Sequence, residues 1–202
     1  MRWDLLFDDL ESQLDREQRD EERALALESE RLRLARLALR DRLMAMAAAD
    51  DDRAGVRIEL AGGTTLRLRP TTFGRDWLSG TIVGAGERGG PGATAQCVVP
   101  MAAIAAVSAG RRQVDDSLDR VPDSSTRVAE RIGLAFVLRD LGRRRLPVET
   151  EALDGRHHGT IDRVGLDHLD LAMHDPGTPR RERDVRGYRI IPFARLVAVT
   201  IR

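Results

Sequence analysis

Residues 98–107 read Val98-Val99-Pro100-Met101-Ala102-Ala103-Ile104-Ala105-Ala106-Val107. A closely related stretch, Ile190-Ile191-Pro192-Phe193-Ala194-Arg195-Leu196-Val197-Ala198-Val199, follows at an offset of 92 residues. Both copies carry an aliphatic pair, Pro, a bulky apolar residue and Ala in the same positions. Upstream, Gly74–Leu78 is matched by Gly165–Leu169 at an offset of 91 residues. Two matches in the same order at nearly the same offset predict an internal duplication, and we expect the fold to be organised around it.

The composition sets limits on the fold and on the partners. A chain of 202 residues has room for one large domain or two small ones. Hydrophobic residues make up 42% and aromatic residues only 3%, so a core must be built from aliphatic side chains. All 33 basic residues are arginine and no asparagine occurs, a usage typical of a high-GC bacterial genome. The net charge of zero predicts no global attraction to nucleic acid or membrane.

The termini and the single cysteine bear on the compartment. The N-terminus is acidic and lacks an apolar segment of signal-peptide length. No stretch approaches the roughly 18 apolar residues of a membrane span. Cys97 rules out an internal disulfide and, within its apolar run, is interpreted as a buried thiol. We therefore expect a soluble, cytoplasmic protein with no membrane partner.

The first part of the chain predicts a long helix over residues 3–48, because it has no Pro or Gly and is rich in Ala, Leu, Glu and Arg. Its tip carries an apolar stripe that we interpret as a partner-docking surface, formed by Trp3, Leu6, Leu10 and Leu14. A charged spacer follows, in which Asp15 and Arg19 form a favourable i, i+4 pair.

The later part of this helix has leucines or methionine at heptad spacing, at positions 25, 32, 39 and 46. This spacing fits either a coiled-coil seam or packing against the protein's own sheet, and the charged spacer interrupts any continuous heptad pattern. The Asp50-Asp51-Asp52 run opposes the helix dipole and predicts the end of the helix.

Alternating apolar residues and turn glycines predict five short strands in each half of the chain. The predicted strands cover residues 56–60, 65–69, 77–83, 96–99 and 104–107, then 147–153, 159–164, 168–174, 188–191 and 196–201. A helix over 126–141, capped by Ser124 or Ser125 and ended by Gly142 as the C′ residue, precedes the second set. A strand hairpin over 134–148 is the alternative.

Together these patterns predict an α+β protein. We expect an N-terminal helix with a charged spacer (1–53), a first small antiparallel β-barrel (54–108), a linker (109–124), and a short helix with a second five-stranded barrel (125–202). A fused second barrel could cover one strand edge of the first.

A helix followed by five bent strands, with a short 3₁₀ turn before the fifth, resembles the Sm-like small β-barrel. The second half carries the resemblance through Asp154-Gly155-Arg156, Gly159-Thr160-Ile161, Asp167 and Leu169-Asp170-Leu171, with Arg186-Gly187-Tyr188 similar to the start of the second Sm motif. SH3-like and PRC-like barrels fit nearly the same pattern. The chain resembles an actinobacterial family in which such a barrel is duplicated.

The resemblance implies RNA contacts in the loop after the second strand of each barrel. The matching positions here are Arg75, Asp76 and Trp77 in the first half and Asp167 and His168 in the second. Sm proteins also use an Asn in the last loop, which is absent here, and Tyr188 stands near that position in the second half.

Catalytic motifs are missing from the sequence. No lysine is present for a phosphate-binding loop, and Gly84–Gly89 matches G-x-G-x-x-G without the helix that this motif needs. No nucleophile elbow occurs. The histidines lie in the second half without the spacing of zinc ligands. We expect no enzyme activity, no cofactor, no metal and no small-molecule substrate.

Charge is unevenly distributed along the chain. Residues 1–53 hold 15 acidic residues and 10 arginines, whereas the remainder holds 18 and 23. The possible nucleic-acid contacts are Arg75, Trp77, Arg143, Arg144, Arg145, His168, Arg180, Arg181, Arg183, Arg186 and Tyr188. Few aromatic residues are available for base stacking.

Two functional hypotheses follow. In the first, the protein is a non-enzymatic interaction or adaptor module, which binds a protein partner or a second copy through the N-terminal helix. In the second, it is a nucleic-acid-binding regulator of Sm-like type that uses its arginine-rich loops.

Overall fold

The structure is a computed structural model that describes residues 3–49, 55–84, 95–119, 131–178 and 180–201, without the side chains of residues 3–10 and 12. The helices are α1 (Trp3–Ala35), α2 (Leu39–Ala48), α3 (Arg111–Asp116) and α4 (Leu134–Arg143). The chain divides into two compact units, residues 1–39 and residues 40–202. The first unit is dominated by α1, and the second contains the sheet.

All ten predicted strands are present. They are β1 (Val56–Leu60), β2 (Thr65–Phe73), β3 (Trp77–Ile82), β4 (Gln96–Pro100), β5 (Ile104–Ser108), β6 (Pro147–Ala152), β7 (Gly155–Val164), β8 (His168–Met173), β9 (Gly187–Pro192) and β10 (Leu196–Ile201). A 3₁₀ turn precedes both β5 and β10, as expected from the Pro that comes before each turn.

The prediction of two closed barrels is wrong. The ten strands form one continuous antiparallel sheet in the order β5-β1-β2-β3-β4-β10-β6-β7-β8-β9. A barrel would need the two outer strands of each half to close on one another. Instead β4 pairs with β10 of the other half, with Val98 opposite Val199 and Cys97 opposite Thr200. We call this pairing of β4 with β10 the junction.

The two halves of the sheet repeat the same plan. The first half (α2, β1–β5) has the order β5-β1-β2-β3-β4, and the second half (α4, β6–β10) has the order β10-β6-β7-β8-β9. The register shifts between Pro70 and Thr72 in β2, and between Ile161 and Arg163 in β7. These two bulges are 91 residues apart, so the offset seen in the sequence coincides with a structural repeat.

Each half has its own hydrophobic core beneath its own helix. Leu43 and Met46 of α2 pack with the apolar residues of β1–β4, and Leu138 and Leu141 of α4 pack with those of β6–β9. Leu43 and Leu138 are fully buried. Burial of one such leucine stabilises the fold by about 1.5–3 kcal/mol relative to an exposed side chain.

The long helix predicted over residues 3–48 is interrupted at residues 36–38. The amides of Arg36 and Leu37 bond to carbonyls three residues back, which tightens and ends α1. The heptad pattern therefore does not continue through one helix. Its second part packs on the sheet through Met46, whereas Leu25 and Leu32 remain exposed on α1.

The region predicted as a linker contains α3, which the sequence analysis missed. Two i, i+4 pairs support this short helix, Arg111 with Asp115 at 3.1 Å and Arg112 with Asp116 at 3.7 Å. Ser117, just after α3, is fully buried and accepts two hydrogen bonds from Arg42 of α2.

The helix before the second half differs from its prediction in both ends. It begins at Leu134, and the proposed caps Ser124 and Ser125 lie outside the described residues. Gly142 is not its C′ residue, because the helix continues to Arg143. A Cβ on Gly142 would lie 3.1 Å from the carbonyl oxygen of Ile161, so Gly142 permits the close approach of α4 to β7. The alternative hairpin over 134–148 is wrong.

Candidate interaction surfaces

Helix α1 exposes leucines on two opposite sides. Leu14, Leu25 and Leu32 are separated by 11 and 7 residues, about three and two turns, and so lie on one side. Leu27 and Leu34 lie on the opposite side, and all five side chains are exposed. We call the first set the leucine stripe. Of the predicted docking residues, Leu14 belongs to it, and the side chains of Trp3, Leu6 and Leu10 are outside the described part of the chain.

Ion pairs within α1 hold its charged spacer in helical form. Arg19 pairs with Asp15 at 3.2 Å, which confirms the predicted i, i+4 pair. Arg23 pairs with Asp20 at 3.2 Å, one turn apart. Each exposed pair of this kind contributes about 0.3–0.5 kcal/mol, enough to favour the helix where no apolar face does so.

The turn between β2 and β3 binds the start of α4. The Trp77 indole Nε1 donates to the carbonyl of Ile132 at 2.9 Å, and the Arg75 amide donates to the same carbonyl at 3.0 Å. The carboxylate of Asp76 accepts the Leu134 amide at 2.8 Å, which caps the helix. Trp77, which was predicted to contact nucleic acid, is buried, so its indole is not accessible for stacking on a base.

The equivalent turn between β7 and β8 has the same backbone but different surroundings. The amide of Gly165 bonds to the carbonyl of His168 at 2.9 Å, as Gly74 bonds to Trp77 at 2.8 Å. His168 is partly exposed, and its Nδ1 lies 2.9 Å from Asp167. The hydrogen bond from His168 lowers the pKa of Asp167.

The arginines after α4 are engaged with the helix itself. Arg143 and Arg144 contact Asp140 at 2.6 and 2.7 Å, and the hydrogen bond from Arg143 is the main cause that lowers the pKa of Asp140. Arg145 is exposed and has a φ of 53°, in the left-handed region that ends the helix. All three arginines stand at the C-terminal end of α4, where the helix dipole favours positive charge.

Most of the predicted arginine contacts between β8 and β9 are also paired within the chain. Arg180 contacts Asp162 at 2.6 Å, and this hydrogen bond raises the pKa of Arg180. Arg186 is paired with Asp175, and Arg183 lies 3.8 Å from Asp184. Arg181 is exposed. Pairing of this kind reduces the positive charge that these loops offer to phosphate groups.

Strand β9 lies at the edge of the sheet and exposes apolar side chains. Tyr188 and Ile190 point to one face of this strand, and both are among the most exposed large hydrophobic residues of the described chain. Arg189, between them, pairs with Asp154, and this hydrogen bond lowers the pKa of Asp154. The tyrosine predicted as a nucleic-acid contact is thus accessible, at a strand edge.

Sequence reasoning missed a polar row that crosses β10, β6 and β7 in the second half of the sheet. Thr200 pairs directly with Glu149, and Glu149 pairs directly with His158, so the three side chains share one face of the sheet. They line a cleft of about 310 Å³ together with Pro147, Pro176 and Gly177. Glu149 lies 3.8 Å from Arg156, which also contacts Glu151 at 3.2 Å. The alternating pattern places these residues on strands, but only the pairing of β10 with β6 brings them together.

The buried His174 beside this row is satisfied by hydrogen bonds. Its Nδ1 donates to the carbonyl of Asp175 at 3.1 Å, so in the neutral ring Nε2 accepts from the hydroxyl of Thr160 at 2.9 Å. Its ring packs edge-on against His158 at 5.4 Å between centroids. Within the described ranges, no group of three or more His, Cys, Asp or Glu residues is arranged to hold a metal ion.

Cys97 is fully buried in the core of the first half, as predicted. Burial raises its pKa to about 11, and the hydrogen bond from Thr200 opposes this rise in part. A thiol of this kind is protonated at neutral pH and does not act as a nucleophile there.

Comparisons with known proteins give no match: no family model, no curated protein and no solved structure is similar to this chain. No helix among the described residues combines the length and the apolar character that crossing a membrane requires. The inferences below therefore depend on this chain's own residues.

Proposed function

We propose that the protein is a non-enzymatic protein-interaction module in which α1 is the docking arm. The observation that carries this proposal is the leucine stripe, in which Leu14, Leu25 and Leu32 lie exposed on one side of a 33-residue helix. An exposed apolar stripe on an otherwise charged helix is typical of a surface that packs into a groove or against another helix.

The size of the stripe suits a specific contact. Full burial of each leucine would contribute about 1.5–3 kcal/mol, part of which is lost to the entropy of association. Helix α1 carries 11 acidic residues and 5 arginines, so the helix that bears the stripe is negatively charged. The partner that fits is a protein with an apolar groove or helix and a basic rim, which would also accelerate the encounter.

The described contacts favour this function over nucleic-acid binding. Of the residues considered for phosphate or base contacts, Trp77 is buried and Arg143, Arg144, Arg180 and Arg186 are paired with aspartates. A phosphate would have to compete with these carboxylates. In contrast, the side chains of the leucine stripe are exposed.

The test compares the two sides of α1 in the full-length chain. The first variant is Leu25→Glu with Leu32→Glu, and the matched control is Leu27→Glu with Leu34→Glu on the opposite side. Both place two charges on the same helix, so they change charge and helix propensity equally. Circular dichroism should show both chains folded.

Affinity capture from bacterial extract, quantified by mass spectrometry, then measures which proteins depend on the stripe. We expect at least one protein retained by the unmodified chain and by the control, and lost with Leu25→Glu and Leu32→Glu. Equal recovery of every protein by all three chains would contradict the proposal. Recovery of RNA or DNA that both helix variants retain would favour the nucleic-acid hypothesis instead.

A further inference from the structure

We infer that the two edges of the sheet pair with each other between copies of this chain, so that β9 of one copy continues the sheet through β5 of the next. This inference concerns the sheet and does not depend on the function proposed for α1. It rests on the repeat, because the junction inside the chain already shows how one half docks onto another.

The junction joins the fourth strand of the first half to the fifth strand of the second half. The strands left at the two edges are β5, which is the fifth strand of the first half, and β9, which is the fourth strand of the second half. The chain thus carries at its edges the same two kinds of strand that pair at its centre. An exposed strand edge is a template for further pairing.

The repeat offset predicts the register of this pairing. Val98 of β4 faces Val199 of β10, and Cys97 faces Thr200. Shifted by 92 residues, Ile190 replaces Val98 and Arg189 replaces Cys97, whereas Val107 and Ser108 replace Val199 and Thr200. The edges should therefore pair with Ile190 opposite Val107 and Arg189 opposite Ser108.

The exposure of the edge residues supports a missing partner. Ile190 is 67% exposed, whereas Val98 in the equivalent position at the junction is 5% exposed. Val98 and Trp77 belong to the first half but are buried in the core cluster of the second half. A second copy placed by the same operation would bury Ile190 in the same way.

The helix starts show the same contrast. Leu134 of α4 is 5% exposed because the turn of the first half covers it, and Asp76 caps its amide. Leu39 has the equivalent place at the start of α2, yet it is 42% exposed. Asp167, the counterpart of Asp76, has a side chain that is 85% exposed. Because α1 ends at Ala35, Leu39 begins a separate helix, as Leu134 does. The turn between β2 and β3 binds the helix start at Leu134, and we expect the turn between β7 and β8 of a second copy to bind the one at Leu39.

Two positions that are buried at the junction, those of Val98 and Leu134, are therefore exposed at the edges as Ile190 and Leu39. The Asp167 side chain is also more exposed than that of Asp76, at 85% against 49%. The partner that fits them is a second copy, since this chain itself presents both complementary strands, β5 and β9. The contact is head-to-tail, with different surfaces on the two sides, so repeated pairing gives a closed ring or an open filament.

The first experiment measures the mass of the full-length chain in solution by sedimentation velocity over a wide concentration range. All variants are made on the Leu25→Glu and Leu32→Glu background, which disrupts the leucine stripe of α1, so that the remaining differences between variants report on the sheet edge. Ile190→Asp places a charge in the predicted contact, and Phe136→Asp changes an equally exposed apolar residue on α4, outside both edge strands.

We expect the background chain and Phe136→Asp to form assemblies larger than a monomer, and Ile190→Asp to associate at least about tenfold more weakly. Circular dichroism checks that each variant is folded. A background chain that stays monomeric at every concentration overturns the inference, as does an assembly whose mass Ile190→Asp does not change.

The second experiment tests the register and does not place a charge at the edge. In the test variant, Ser108→Cys with Arg189→Cys, the two thiols of neighbouring copies lie opposite each other. The control variant is Ser108→Cys with Ile190→Cys, in which the second thiol is one residue out of register and on the other face of the sheet. The native Cys97 is buried and remains unreactive. We expect disulfide-linked multimers on mild oxidation of the first pair only. Equal crosslinking by both pairs, or none by the first, overturns the predicted register and with it the inference.

Discussion

The turns Gly74–Trp77 and Gly165–His168 have the same backbone hydrogen bonds and occupy the same place in their halves of the sheet. The first bonds to the start of α4 through the buried Trp77 indole and the half-exposed Asp76 carboxylate. The second bonds to no helix start among the described contacts, and its Asp167 carboxylate lies 2.9 Å from Nδ1 of the neighbouring, partly exposed His168. The two halves therefore share the same turn, but among the described contacts only the turn of the first half bonds to the start of a helix.

This contrast separates two kinds of difference between the halves. A large aromatic residue with a hydrogen-bond donor stands at the covered position, because the site is dry and its donor can reach a carbonyl. A histidine stands at the exposed position, where a polar ring loses no hydration. Substitutions at equivalent positions of the two halves should therefore change the free energy of unfolding by unequal amounts. The difference between the two changes measures how far the two environments differ.

The largest difference is expected for Trp77→Ala compared with His168→Ala. Removal of the buried indole leaves a cavity and takes one of two hydrogen bonds from the Ile132 carbonyl, which keeps the bond from the Arg75 amide. The free energy of unfolding should therefore fall by about 3–5 kcal/mol, mainly through the cavity. His168→Ala should change it by less than about 0.5 kcal/mol. Urea unfolding followed by circular dichroism measures both.

Trp77→Phe separates the hydrogen bond from the packing in the same experiment. It keeps most of the apolar contact and removes the donor, and loss of that hydrogen bond should cost about 0.5–1.5 kcal/mol, since the Ile132 carbonyl still accepts from the Arg75 amide. If His168→Ala destabilised the chain as much as Trp77→Ala, the two turns would not differ in burial as described.

A smaller difference is expected for Asp76→Ala compared with Asp167→Ala. Asp76 caps the Leu134 amide at 2.8 Å, and loss of such a cap costs about 0.5–2 kcal/mol. Asp167 caps no helix among the described contacts, so its replacement should leave the monomer's stability within about 0.5 kcal/mol. Asp76→Asn keeps an acceptor and should recover most of the loss; a full loss with Asn would argue against capping.

The comparison also shows what the sequence could and could not predict. Alternating apolar residues, turn glycines and the two Pro-centred stretches place all ten strands, since these are local signals. Strand partners are not local. Because the two halves are so similar, nothing in the pattern distinguishes β4 pairing within its own half from β4 pairing with β10. The expected barrels were wrong for this reason.

The helices show the same division between local and tertiary causes. No Gly or Pro marks the break at residues 36–38, so propensity alone predicts one helix over residues 3–48. Only the structure shows that α2 is a separate helix, which packs in the core through Leu43 and Met46. In contrast, α3 had a local signal in the pairs Arg111–Asp115 and Arg112–Asp116, which the reading of that region as a linker overlooked.

The candidate surfaces were only partly visible in the sequence. The leucines of α1 follow from helical spacing, and Leu14 was predicted as a docking residue. The row formed by Thr200, Glu149 and His158 could not be predicted, because three strands from distant parts of the second half must pair first. The arginine loops were visible as charge, but their aspartate partners could be assigned only from the structure.

A third pair of equivalent residues sharpens the comparison of the two sheet halves: Glu151 in β6 and Glu59 in β1. Glu151 is mostly buried, accepts from Thr64 of the first half and contacts Arg156 at 3.2 Å. Glu59 accepts only an exposed hydrogen bond from Ser108 at 2.7 Å among its described contacts. We expect Glu151→Ala to lower the free energy of unfolding by about 1 kcal/mol. Glu59→Ala should lower it by only about 0.3 kcal/mol.

Thr64→Val checks that the link between the halves is responsible. It removes the hydroxyl that bonds to Glu151 and keeps the side chain's shape, so its effect and that of Glu151→Ala should not add. Additive effects in urea unfolding would show that the two side chains contribute separately.

The smallest effect is expected at the ends of α2 and α4, where only α4 carries basic residues in its last turn. Arg143, followed by Arg144, lowers the pKa of Asp140 in the folded chain. The ionised carboxylate therefore stabilises the fold above the unfolded-state pKa of about 3.9, and this contribution is lost as the pH falls through the lower folded-state value. Asp140→Asn should make stability less dependent on pH in this acidic range.

Urea unfolding at about pH 7 and at about pH 3 measures this dependence for the unmodified chain, for Asp140→Asn, and for Arg143→Ala with Arg144→Ala. The double arginine variant should flatten the pH dependence as Asp140→Asn does, because either change removes the same ion pairs. Added salt should weaken the effect in the unmodified chain, since both arginines are exposed. An unchanged pH dependence in both variants would mean that these ion pairs do not stabilise the folded chain over the unfolded one. The charges at the end of α4 would then add no more to the free energy of unfolding than the end of α2 does.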